Sequence, residues 1–210
     1  GETDPRIIDR YRQMLAANPV EGTALDRLWT IAEKEGFTTR LVKEARTAAR
    51  KAKGAFAEEM VLGLFLSRSG KNEEAANAFR AAAKAGPESP LPHLALARLL
   101  PPEQQAPELE EAARRLSPDS PERPETLRRL GEAYLAAGTP EKAAAAWEEW
   151  VADAPSQPEL RQKLARLYAE NGMPEQALAH YAVLEKEGDP PMRVEALRGM
   201  AVLQAKAGRP

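Results

Sequence analysis

The chain has 210 residues, 43% of them hydrophobic and 30% charged, with a formal net charge of -2; it is long enough to bury a core and lacks the basic excess of a general nucleic-acid or anionic-membrane binder. With no cysteine, disulfides, thiolate catalysis and Cys-ligated metals are excluded, and the cellular compartment stays unread. No apolar run reaches the roughly 18 to 20 residues of a membrane span, and the first residues do not show the basic-then-apolar pattern of a signal peptide.

Taken in chain order, the elements repeat on one clock. Pro19, Pro87, Pro121 and Pro155 are separated by 68, 34 and 34 residues, and Gly36, Gly70, Gly138 and Gly172 by 34, 68 and 34. The same phase selects the aromatics Tyr11, Phe79, Trp147 and Tyr181 and the alanines Ala75, Ala143 and Ala177. A unit of two antiparallel helices explains each class: alanine lets helices approach, the aromatic fills the space between pairs, glycine ends the first helix and proline blocks continuation of the second. Residues 5–17, with Tyr11, Met14 and Leu15 ahead of Asn18-Pro19, predict the second helix of a half-repeat over 5–21. Full repeats follow at 22–55, 56–89, 90–123, 124–157 and 158–191, and a final helix at 192–207. Two extra residues near Gly188-Asp189-Pro190 stretch the last period to 36. Both ends are expected to cut a repeat, and Gly1 in place of methionine suggests a segment of a longer protein.

The stretch Leu130-Gly131-Glu132-Ala133-Tyr134, then Gly138, Ala143, Trp147 and Pro155, resembles the tetratricopeptide repeat. Leu62-Gly63, Gly70, Ala75, Phe79 and Pro87 carry the pattern two copies earlier, and Leu164-Ala165, Tyr168, Gly172, Ala177 and Tyr181 one copy later. The resemblance implies an all-α, right-handed superhelical solenoid of antiparallel helix pairs, about twelve helices in one domain, with no strand. Two repeats depart from the pattern. In the repeat from Gly22, Trp29 stands where a small residue belongs and Ala45 where an aromatic belongs. A volume-conserving exchange predicts a structural Trp29; an exposed anchor for a partner is the alternative. In the repeat from Pro90, Pro101-Pro102 should stop the first helix early and Pro107 should open the second, which leaves either a functional bend or drift.

Catalytic chemistry finds little support. His93 and His180 lie more than two repeats apart, no hydrolase, zincin or phosphate-loop pattern occurs, and no catalytic residue, metal site or cofactor is expected. A basic helix carries Arg40, Lys43, Arg46, Arg50, Lys51 and Lys53 against Glu44 alone, with 43, 46, 50 and 53 on one face; it reads either as a docking face or as a solvated outer surface. The resemblance also implies that ligands lie on the concave surface of the first helices. The motif positions concerned read Asp26, Thr30 and Glu33; Met60, Leu64 and Arg68; Leu91, Leu94 and Arg98; Arg128 and Glu132; Gln162 and Arg166. No asparagine stands among them, which argues against the family's clamp for a terminal carboxylate. The expectation is a protein-interaction scaffold, bacterial by its Ala, Arg, Glu and Pro usage. Met60, Leu64, Leu91 and Leu94 would floor a peptide groove, and Arg68, Arg98, Arg128 and Arg166 would select acidic residues; absorption of the apolar four into the core is the competing reading. No nucleic-acid partner is expected. A structural spacer that self-associates through the apolar faces of its terminal helices is the alternative function.

Overall fold

In the computed structural model, residues 3–208 are described, and all regular structure among them is helical. The helices are α1 (Pro5–Ala17), α2 (Thr23–Glu35), α3 (Thr38–Lys51), α4 (Phe56–Arg68), α5 (Asn72–Ala85), α6 (Leu91–Leu99), α7 (Ala106–Arg115), α8 (Arg123–Ala136), α9 (Pro140–Ala152), α10 (Pro158–Glu170), α11 (Pro174–Glu187) and α12 (Pro190–Lys206). Proline occupies the first turn of most of them, where its missing N–H costs no intrahelical bond and its fixed φ suits the helix. The in-phase glycines Gly36, Gly70, Gly138 and Gly172 sit just beyond first helices at φ of 74°, 73°, 74° and 72°. This left-handed geometry reverses the chain within two residues and is strained for any side chain with a Cβ. The helices fall into two compact units, one ending at Gly138 and one starting at Thr139.

In the first unit, α4 and α5 form the tightest pair. Gly63 makes this possible, since a Cβ there would lie 2.4 Å from the Phe79 ring; the bare helix backbone is the seat of the aromatic. Trp29 occupies the corresponding place on α2 and is buried, as the structural reading required. Its indole donates to Glu33 at 2.8 Å and its ring lies 6.1 Å from that of Phe65. The bulk has a price in geometry: α2 and α3 pack far less extensively than α4 and α5, and α1 reaches α4 directly. The exchange of Trp29 for Ala45 therefore relocates volume rather than conserving it in place. In the repeat from Pro90, α6 stops at Leu99, Leu100 is extended, a 3-10 turn covers Pro102–Gln104, and α7 opens with Pro107 in its first turn.

The second unit repeats the theme with different partners. Tyr181 of α11 seats on Gly199 of α12, where a Cβ would lie 2.6 Å from the ring. Trp147 and Tyr168 meet edge to face at 5.8 Å, and Tyr168 stacks on His180 at 5.5 Å. The two extra residues at the α11–α12 junction are accommodated by an early start at Pro190, which makes α12 17 residues long.

Candidate docking groove

The groove forms where α4 and α6, two first helices, lie beside the α1–α2 connection. Met60, Leu64, Leu91, Leu94, Ala95 and Arg98 share a cavity of about 230 Å³ with Asn18, Pro19, Val20, Glu21 and Glu122. The structure thus gathers the four predicted apolar residues in one place but does not leave them equally open. Met60 and Leu64 are each 1% exposed and belong to the core, whereas Leu91 and Leu94 are half-buried. The expected exposed floor is corrected accordingly: its α4 part is packed shut, because the Asn18–Glu21 segment shares the walls of the cavity with α4. Nothing local in the α4 sequence announces a segment some forty residues upstream.

Electrostatics separate the four predicted arginines. Arg68 bonds Glu21 and Asp26, both at 2.6 Å; burial opposes its charge, yet the two carboxylates hold its pKa above the ordinary value. Arg128 bonds Glu125 at 2.6 Å and also engages Glu132, and the Glu125 bond chiefly raises its pKa further. In the second unit, Gln162 and Arg166 both engage Glu195 of α12. These arginines are neutralised within the chain. Arg98 differs: it is exposed and has no hydrogen bond or ion pair among the described residues. Its neighbour in charge is Arg129, whose pKa is lowered by burial and next by Arg98 itself. Arg129 donates only to the neutral Gln105 amide oxygen at 3.3 Å, and Gln105 in turn donates to the Leu100 carbonyl at 2.9 Å. Of the remaining walls, Glu21 is already held by Arg68 and Glu122 accepts the Ser120 hydroxyl at 2.6 Å. The cavity therefore combines half-open leucines with the Arg98 guanidinium, which bonds no carboxylate among the described residues, beside Glu122.

Arg129 was not singled out by position in the repeat; Glu125 and Glu132 offset part of the repulsion from Arg98, but no carboxylate bonds it among the described residues. The basic helix α3 is partly answered by its surroundings, with Arg46 bonded to Glu74 at 2.6 Å and Arg40 3.8 Å from Glu44. In the second unit, His180 is buried, with Nε2 2.7 Å from Glu148 and Nδ1 3.2 Å from Arg161. Tyr168 also donates to Glu148, at 2.9 Å. With Arg161 a permanent donor, Nδ1 is the accepting nitrogen and Nε2 carries the proton, so the cluster is a satisfied network between α9, α10 and α11. Among the described residues no group of three or more His, Asp and Glu is placed to hold a metal ion, and no helix is long and apolar enough to cross a membrane.

Comparison with known proteins agrees with this architecture. Tetratricopeptide-repeat family profiles match residues 61–100 and 124–167. No curated protein sequence matches. Among solved structures, MamA residues 41 to end from Desulfovibrio magneticus RS-1 is similar at a TM-score of 0.53 and 18% identity, covering 87% of this chain and 94% of that one. YrrB, described as a TPR protein with an unusual peptide-binding site, is similar at a TM-score of 0.52 and 16% identity, covering 90% of this chain and 97% of that one. A chain of the Naa15/Naa10 assembly bound to HypK-THB reaches a TM-score of 0.57 at 20% identity, covering 96% of this chain and 31% of that one. At such identities the likeness is one of fold.

Proposed function

The chain belongs to the tetratricopeptide-repeat superfamily, whose repeats serve as scaffolds for protein–protein interaction, and on that premise we propose that it holds a partner polypeptide in the groove between α4 and α6. The observation that carries this reading is the cavity of about 230 Å³ that joins half-buried Leu91 and Leu94 to the unneutralised Arg98. Met60 and Leu64 form its packed end and give it rigidity. The fitting ligand is a short segment that places an aliphatic side chain against Leu91 and Leu94 and a carboxylate against Arg98, with Arg129 adding charge. Arg68, Arg128, Glu132 and Arg166, held in ion pairs, and Gln162, hydrogen-bonded to Glu195, take no direct part, because a ligand would have to displace those partners.

The energetics set a modest affinity. Covering the remaining surface of two half-buried leucines contributes about 2 kcal/mol, and a charge-assisted bond to Arg98 about 1.5 to 3 kcal/mol more. Before ordering costs this corresponds to roughly millimolar to high-micromolar binding, and those costs leave a single such contact at about millimolar or weaker. The test is fluorescence anisotropy with labelled peptides in which a Leu-Asp or Leu-Glu pair is varied. Leu94→Ser and Arg98→Ala should each weaken capture at least tenfold while the helical circular dichroism is retained. Equal capture by all three proteins would place the ligand elsewhere.

A second reading, self-association, has its own observation. The exposed large hydrophobic side chains, Ile7, Met14, Val194, Leu197 and Val202, lie on α1 and α12 alone among the described residues. Light scattering at rising concentration tests it, and a constant monomer mass would remove it.

A further inference from the structure

We propose that a second groove, between α1, α3 and α4, receives an aromatic side chain of a partner polypeptide, flanked in that partner by an acidic residue. The groove is a cavity of about 290 Å³ whose lining includes Leu15, Ala45, Ala48, Ala57, Val61 and Phe65. Its origin is legible in the repeat. Ala45 stands at the phase occupied by Phe79, Trp147 and Tyr181, and all three of those rings are buried. At Ala45 the ring is missing and the backbone around it is not collapsed. Trp29 does not fill the gap, because it lines a different depression with Val42 and Arg46, on another side of α3. Ala113, the other alanine at this phase, lies in the shortened α6–α7 pair and is closed over by Arg123, which donates to the Ala113 carbonyl at 2.7 Å. At Ala45 the missing ring leaves a cavity open to solvent. An apolar cavity of about 150 Å³ suffices for benzene, so a phenyl or indole ring fits with space to spare.

Charge on the rim selects what accompanies the ring. Arg12 lies in the lining, with one guanidinium nitrogen on Glu44 at 2.7 Å, while its Nε is buried without an acceptor. A buried donor left unanswered is costly, and a carbonyl or carboxylate oxygen beside the inserted ring answers it. Glu44 is also approached by Arg40 at 3.8 Å, so its charge is already shared by two guanidiniums. Lys51 follows Glu44 by seven residues on the same helix edge, and it has no ion pair among the described residues. The lining itself holds one guanidinium and two carboxylates, Arg12 with Glu44 and Glu58, so the demand for an acceptor comes from the unanswered Arg12 Nε, with Lys51 outside the lining. Glu58 marks the opposite side and disfavours a second acidic residue there, so the geometry fits one carboxylate next to one aromatic ring. This assignment is independent of the α4–α6 groove.

The experiment uses the whole chain and two blocked dipeptides, N-acetyl-Phe-Glu-amide and N-acetyl-Ala-Glu-amide, with methyl NMR shifts at Ala45, Ala48 and Val61 as readout. Saturable millimolar binding of the Phe peptide is expected, at least tenfold tighter than the Ala peptide. Arg12→Lys, which keeps the charge but removes Nε, should weaken it severalfold. Ala45→Phe should fill the space from within, leaving the melting temperature unchanged or higher and abolishing the shifts. Three results would each overturn the proposal. The first is the lack of saturable shifts in the wild type. The second is an Ala45→Phe protein that melts several degrees lower, which would show that the room is not there. The third is concentration-dependent self-association that Ala45→Phe removes, which would assign the groove to a second copy of the chain.

Discussion

Replacing Leu64 and Leu94 separately by alanine distinguishes a groove with a packed end from an open floor. Leu64 is 1% exposed and sits in the core with Met60 and Phe65, so Leu64→Ala loses nearly the full transfer free energy of the removed carbons and leaves a cavity. Such substitutions cost about 2 to 5 kcal/mol, the upper half applying where neighbours cannot collapse; the rigid α4–α5 pair behind Leu64 argues for about 3.5 kcal/mol. For a domain of this size each kcal/mol moves the midpoint by roughly 2 to 4 °C, so a drop of roughly 10 °C is expected. Leu94 is only half-buried and borders the open part of the same cavity, so Leu94→Ala should cost about 1 kcal/mol and roughly 3 °C. Thermal melts followed by circular dichroism at 222 nm, with peptide capture measured on both proteins, give the answer. If Leu64→Ala melts within a degree or two of the wild type, Leu64 faces solvent, the packed end does not exist, and the four-residue apolar floor must be restored.

Gly63→Val should be among the most disruptive single changes, since its Cβ would lie 2.4 Å from the Phe79 ring; about 3 kcal/mol or more of lost stability is expected in denaturant melts, and a wild-type midpoint would contradict the close seating of that ring. Arg98→Ala should weaken binding of acidic peptides at least five times more than Arg128→Ala, because Arg128 already serves Glu125 and Glu132; anisotropy titrations compare them directly. Burial, and next the bond to Glu148, raise the pKa of Tyr168 above the usual tyrosine value. The folded state thus favours its neutral form, and the contribution is intact below an unfolded pKa of about 10 and lost as pH rises beyond it. Melting temperatures between pH 8 and 12 should therefore fall less steeply for Tyr168→Phe than for the wild type, and parallel curves would show that Tyr168 is not the titrating group.

The repeat clock located the turns because Gly36, Gly70, Gly138 and Gly172 answer a backbone demand that few other residues meet. Pro101-Pro102 and Pro107 likewise announced the early end of α6 and the start of α7. Volume was harder to read. The sequence shows that Trp29 is large and Ala45 small, but which neighbour a side chain displaces depends on its direction from the helix, and the indole opened the α2–α3 pair instead of filling the place left at Ala45. Position within the repeat assigned Met60 and Leu64 to an exposed face; the Asn18–Glu21 segment, remote in sequence, shares the cavity there. Charge was the least legible. Arg68 and Arg98 both lie on the first helices of successive repeats, yet one meets Glu21 and Asp26 and the other bonds no acid among the described residues, because long side chains find partners across helices that no local pattern specifies.

Shortening α6 to nine residues and α7 to ten makes this pair open more readily than α4–α5 when the first unit breathes. An isolated helix of such length is marginal in water, and in a stack whose elements lean mainly on their neighbours a short pair detaches more readily than a long, closely packed one such as α4–α5. Amide protons of α6 and α7 should accordingly trade with deuterated solvent well before those of α4 and α5. Because Leu91, Leu94 and Arg98 all sit on α6, a ligand held there clamps a segment prone to opening, and its arrival would register as slowed exchange along α6 and α7 even when no helix changes its place.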